Sequence, residues 1–168
     1  GGVARCWGGN EAGQLGDGST VARTGPVTVT VATSIAQLVH GSQHTCARHS
    51  DGTVRCWGNN GAGQLGNGTS AASLSSVEVA GLRDAVEVSA GNNHVCALLR
   101  DGTVRCWGQN DYGQLGDGTT TRRTTPVAVV GLTGVSRIAV GTEHTCALLS
   151  AGGVRCWGRG GNGALGDG

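Results

Sequence analysis

Short apolar runs punctuated by glycine, rather than long stripes, organise this chain. Val135–Val140 is rich in β-branched residues, His144–Leu149 follows three residues later, and Gly153–Trp157 is short and alternating. Each reads as a strand bounded by turn residues. Ahead of them Pro126–Val130 reads as a fourth strand, with Pro126 at its start, where a missing N–H is tolerated. No window carries apolar positions at helical spacing over a useful length. No run of eighteen apolar residues exists, so nothing in this segment spans a membrane as a helix.

The same pattern returns every fifty residues. Cys6-Trp7-Gly8 recurs at Cys56, Cys106 and Cys156, and His44-x-Cys46 recurs at His94 and His144. Gly41, Gly91 and Gly141 precede those histidines by three, and Gly13-Gln14-Leu15-Gly16 returns at Gly63 and Gly113. Units of this length that cannot bury their own apolar face form arrays in which each packs on the next. Four short strands per unit with glycine-rich turns predict all-β architecture: β-propeller blades of four antiparallel strands. The copies run over 1–50, 51–100, 101–150 and 151–168, about 3.3 repeats, and are expected to be a fragment of a longer chain and part of a larger ring. A segment that starts and stops inside a blade is expected not to stand alone as a stable monomer, because its end blades expose apolar faces.

The hairpin inside each copy fixes the cysteines. Ser50-Asp51-Gly52, Arg100-Asp101-Gly102 and Ser150-Ala151-Gly152 fit a three-residue loop whose last position is left-handed. With that loop His49 faces Thr53, and counting outward Cys46 faces Cys56. Opposed residues have Cβ atoms about 4.5–5.5 Å apart, closer in non-hydrogen-bonded pairs, which approaches the roughly 3.5–4.5 Å of a disulfide. The spacing therefore predicts Cys46–Cys56, Cys96–Cys106 and Cys146–Cys156. Cys6 is left over, with its partner position ten residues earlier, before Gly1. Disulfides at this density imply an oxidising compartment: extracellular, cell surface or periplasmic.

Composition narrows the function classes. Of 168 residues 33 are Gly, and there is no Phe, no Met, one Tyr and four Trp. The net charge is +1, and the only basic cluster, Arg122 and Arg123, is small, which argues against a nucleic-acid partner. The repeated histidines sit two residues before cysteines, so a metal site is geometrically conceivable, but each Cys points at another Cys and the histidines read as structural. Trp7, Trp57, Trp107 and Trp157 repeat in register; blade-to-blade packing explains the period, and a sugar-stacking platform is the alternative. The Gly113–Gly118 loop lacks the Lys and the helix of a phosphate cradle, and its Asp117-Gly118 reads as a turn. No cofactor is implied. Asp111, Tyr112, Arg122, Arg123, Glu143 and Arg159 differ from their counterparts in the other copies and are the candidate partner contacts.

The core Gly141-x-x-His144-x-Cys146-Ala147-Leu148, then Gly152, Val154 and Trp157-Gly158, with Trp107-Gly108-x-Asn110-x-x-Gly113-Gln114-Leu115-Gly116, resembles the repeats of the regulator of chromosome condensation family. The resemblance covers essentially the whole chain. It implies blades of a seven-bladed propeller, of which about half are present, and the paired cysteines resemble a secreted bacterial branch. The fourth copy departs from the pattern: Gly160 stands for Asn110 and Ala164 for Gln114. Members of the family exchange nucleotide on a small nuclear GTPase, sense light through tryptophan clusters, or inhibit β-lactamase, so the fold does not fix function. The expectation is a non-enzymatic extracellular scaffold that binds protein or assembles with itself. A carbohydrate-binding module using exposed Trp is the alternative, and an enzyme with an unrecognised site ranks behind both.

Overall fold

A computed structural model describes residues 3–30 and 34–167. Gly1 and Gly168, the outer bounds of the expected repeat copies, lie outside them. Among the described residues there are four antiparallel sheets. The first pairs β1 (Arg5–Gly8) with β2 (Arg23–Thr28). The second runs β3 (Ile35–His40), β4 (His44–His49), β5 (Val54–Gly58), β6 (Ser73–Glu78). The third runs β7 (Ala85–Ala90), β8 (His94–Leu99), β9 (Val104–Gly108), β10 (Arg123–Ala128). The fourth has β11 (Val135–Val140), β12 (His144–Leu149) and β13 (Gly153–Gly158). Strand order follows chain order in every sheet, and the first strands β3, β7 and β11 lie against one another. These are propeller blades, two of them with all four strands.

The hairpins follow the glycine rule. Gly52, Gly102 and Gly152 have φ of 82°, 78° and 88°, and the His49 amide donates to the Thr53 carbonyl at 2.8 Å. The register that results sets Cys46 on Cys56, Cys96 on Cys106 and Cys146 on Cys156. All three pairs are disulfide-bonded, with Cα atoms 4.1 Å apart. Cys6, on β1, is the free cysteine among the described residues.

The fourth strand corrects the expectation in one respect. It covers Arg123–Ala128 rather than Pro126–Val130, and it closes the sheet of the copy before it. Pro126 sits within the strand, in the register shift between Arg123 and Val127. The strand is an edge interrupted by that shift, so the missing N–H breaks no ladder bond.

The apolar core lies between sheets. One cluster joins Val54, Leu65, Val79 and Cys56 of the second sheet and its loop to Val88, Val95 and Trp107 of the third. Another joins Cys96, Cys106 and Leu115 to Val135, Ile138 and Ala147. Each blade is thus buried by its neighbour, as a repeat too small for its own core requires.

Candidate interaction rim

In the first three copies the loop after the third strand is built on a buried asparagine. Asn110, fully buried, accepts the Leu115 amide on Oδ1 at 2.9 Å and donates from Nδ2 to the carbonyls of Thr119 and Thr121, both at 3.0 Å. Asn10 and Asn60 make the same bonds. The loop then presents the carbonyl of Gln14, Gln64 or Gln114 to the indole N–H of the next blade: Trp57 at 3.0 Å, Trp107 at 2.9 Å, Trp157 at 2.9 Å. The indole sits so close to the loop that a Cβ at Gly66 would fall 2.8 Å from the Trp107 ring, on a backbone with φ of 65°. Glycine is required there on both counts. Trp57 and Trp107 are fully buried by this arrangement, and the sugar-stacking alternative loses its platform at those blades.

The histidines belong to the same joint. The Thr145 hydroxyl donates to the Gln114 carbonyl at 3.0 Å and lies 3.1 Å from His94 Nε2. Its one proton is committed to the carbonyl, so His94 must be the donor, which fixes its tautomer. His44 is equally buried but has no partner on either ring nitrogen. The residue in register with Thr145 in the neighbouring blade is Val95, which offers no acceptor. Burial holds both imidazoles at a pKa of about 4, with a further downward push on His44 from His40 and on His94 from His44 and His144.

Above this joint lies a rim made by the loops after the first and third strands. In each blade one residue from each loop forms a pair. Asn59 donates to Gln43 at 3.1 Å, Asn93 donates to Gln109 at 3.3 Å, and Arg159 pairs with Glu143. The members change together, long amide with short amide or cation with anion. This covariation at a separation of sixteen was open to sequence reading, but only the pairing shows its meaning. Gln64 Nε2 reaches both Asn59 and Asn93 at 3.3 Å, linking two blades. Gln114 Nε2 is buried without a partner, since Gln109 turns its amide to Asp111 and Glu143 turns to Arg159.

The structure brings five of the six predicted contacts to this rim. The Arg159 guanidinium lies over the Tyr112 ring, 4.8 Å from its centre, while paired to Glu143. Beside Tyr112, Asp111 pairs with Arg122 at 3.2 Å, and that guanidinium holds the carboxyl below its ordinary range. Arg123 stands apart. It pairs with Asp117 at 2.7 Å as Arg23 does with Asp17 at 2.8 Å, so it is a repeated brace of the loop rather than a departure from the repeat. Burial pushes Asp117 up, but the Thr119 hydroxyl and Arg123 outweigh it and keep the carboxyl low. Asn67 and Ser73 replace this ion pair in the second blade.

The chain matches the regulator of chromosome condensation (RCC1) repeat over residues 6–48, 51–98 and 101–148, and a second description of that repeat over 35–64, 85–114 and 135–164. The chain belongs to the RCC1 repeat family. The asparagine-braced loop and the indole clamp are therefore the frame of an RCC1 blade in this protein, and the fold is that of a protein-interaction propeller. No curated protein matches the chain. Among solved structures, that of Kap60 bound to yeast RCC1 (Prp20) superposes with a TM-score of 0.87 at 22% identity, over 99% of this chain and 42% of that one. Prp20p from Saccharomyces cerevisiae gives 0.85 at 22%, over 98% and 43%. Human WBSCR16 gives 0.79 at 24%, over 90% and 41%. The chain thus spans about two-fifths of the length of these structural neighbours, and likeness at such identity establishes the fold alone.

Proposed function

We propose that this RCC1-repeat segment is a non-enzymatic protein-binding scaffold of an oxidising, extracellular or periplasmic compartment, with its contact surface on the rim sector of Asp111, Tyr112, Arg122, Glu143 and Arg159. The observation that carries the reading is the break in rim symmetry. Amide pairs in two blades give way to charged groups gathered around one half-exposed tyrosine. Tyr and Arg are the residues that dominate protein interfaces. The charges there are paired with one another, which suits a positioned polar contact more than a reacting group. Six of the twelve arginines lie in ion pairs, leaving no concentrated field for a phosphate backbone. Three disulfides favour the oxidising compartment. Protein binding has precedent among structural neighbours: a yeast structure has RCC1 (Prp20) bound to Kap60, and Prp20p has binding properties to Gsp1p and histones.

The test is capture of secreted or periplasmic proteins from the source organism by immobilised chain, alongside Tyr112→Ala and Arg159→Ala. A partner retained by the native rim and lost from both variants, with all three disulfides intact, is the expected result. Capture indifferent to both substitutions overturns the rim as the contact surface.

A further inference from the structure

Two blades handle the same buried amide differently. Gln64 and Gln114 are both buried. Each accepts on Oε1 the backbone amide two residues before it, Ala62 at 2.8 Å and Tyr112 at 2.9 Å. Gln64 Nε2 then donates to Asn59 and to Asn93 of the next blade, both at 3.3 Å. Gln114 Nε2 has no acceptor among the described residues. The residues in register with Asn59 and Asn93 are Gln109 and Glu143. Gln109 has both ends of its amide occupied, accepting from Asn93 at 3.3 Å and donating to Asp111 at 2.7 Å. Glu143 is turned to Arg159. Its backbone nonetheless lies beside the orphan: a Cβ added at Gly158 would fall 2.7 Å from the Glu143 carbonyl oxygen and 3.1 Å from Gln114 Cβ. In the neighbouring joint Asn93 spans the same gap with a side chain one methylene shorter.

Glu143 therefore has two donors within reach and serves one. An exposed ion pair contributes little, and an unpaired buried amide is costly. The two positions of the carboxylate are thus close in free energy, and a group that takes Arg159 away decides between them. The pair is asymmetric toward solvent. The Arg159 side chain is 55% exposed and that of Glu143 20%, so an arriving group meets the cation first. The guanidinium also lies over the Tyr112 ring, 4.8 Å from its centre, an attraction that survives the departure of Glu143. Tyr112 is in turn held through its amide by Gln114.

We propose that Arg159 is the recognition arm for a carboxylate, an Asp or Glu side chain of the bound protein, and that Glu143 yields it by turning to the Gln114 amide. The inference rests on the rim being the contact surface and adds which chemistry that surface reads. A carboxylate matches the fork of the guanidinium. Glu143 loses one donor and gains another, so the exchange leaves neither a charge nor a buried amide without a partner. A basic side chain would have to pass the guanidinium to reach the recessed Glu143, and would leave Gln114 as unpaired as before.

The probe is the end-blocked peptide Gly-Asp-Asp-Gly, compared with Gly-Asn-Asn-Gly and Gly-Lys-Lys-Gly. Each is titrated at pH 7 and low salt into the oxidised, nitrogen-15-labelled 168-residue chain. The Asp peptide is expected to move the Arg159 Nε–H and Gln114 side-chain amide resonances along one saturation curve, with an affinity at least about fivefold above the other two. Arg159→Gln should move the Gln114 amide in the same direction with no peptide present, because Glu143 is then free to turn. Gln114→Glu keeps the acceptor for the Tyr112 amide but removes the donor, and should weaken the Asp peptide roughly fivefold. A Gln114 amide that stays still, both with the Asp peptide and in Arg159→Gln, overturns the switch. Preference for the Lys peptide, or an Asp peptide that leaves Arg159 unmoved, overturns the carboxylate. The capture experiment above assumes nothing about the charge of the ligand, so it decides separately whether the rim is the contact surface.

Discussion

Val95→Thr is the most direct test of how the blades are joined. In the joint between the last two blades, Thr145 accepts from His94 Nε2 and donates to Gln114 O. In the joint before it, Val95 leaves His44 Nε2 orphaned and Gln64 O with the Trp107 bond but no hydroxyl. Val95 and Thr145 face Trp107 and Trp157 in the same register, so a threonine hydroxyl at 95 falls between the same two groups. Two hydrogen bonds at about 1 kcal/mol each are gained. One buried methyl is given up, about 1 kcal/mol by area. The new hydroxyl carries little desolvation cost because both its bonds are made. The net expectation is a stabilisation of about 1 kcal/mol. The reverse change, Thr145→Val, orphans the His94 N–H in a buried site and should cost about 1–2 kcal/mol. Urea unfolding of the oxidised chain at pH 7.5 reads both as shifts of midpoint at constant slope. A Val95→Thr chain that is less stable than the parent, with Thr145→Val harmless, would falsify the reading of Thr145 as the histidine's acceptor.

Acid should loosen the same joints. His44 and His94 have pKa values of about 4 against 6.5 in an unfolded chain. The unfolded state therefore binds more protons between those limits, and stability present above pH 6.5 is lost as pH falls toward 4, by about 3 kcal/mol per histidine; urea midpoints across pH 4–8 check this, and a flat profile contradicts it. Replacing Cys96 and Cys106 together by Ala, which opens a loop of ten-residue separation, is expected to cost about 2–3 kcal/mol, read under non-reducing conditions as a lower thermal midpoint than that of the parent. Asn110→Ala removes the brace under the rim and should cost about 2–3 kcal/mol by stranding the Leu115 amide and the Thr119 and Thr121 carbonyls; hydrogen exchange at Leu115 accelerating ahead of the rest of the blade is the local signature.

What the sequence settled by itself was everything that depends on local periodicity. A fifty-residue repeat, hairpin loops ending in glycine and strands of period two are readable because turn chemistry and pleat act over a few residues, and they suffice to place Cys46 on Cys56. The fourth strand was misplaced by three residues because Pro126 signals an edge without saying where on it, and because its pairing partner, β9, is set by sheet order. The rim was half legible. Departures from the repeat pointed to Asp111, Tyr112, Arg122, Glu143 and Arg159, whereas Arg123 has a counterpart in Arg23, and the ion pairs with Asp117 and Asp17 show both to be braces. The packing role of the tryptophans and the structural role of the histidines were legible from their period, but tertiary structure alone decided their partners. An indole is buried where the glutamine carbonyl of the preceding blade takes its N–H, as at Trp57 and Trp107. Whether a histidine is satisfied depends on the residue fifty-one positions on, Thr145 for His94 and Val95 for His44. Such contacts join neighbouring blades across the sheet faces, and a pattern read along one strand carries no record of what packs against it.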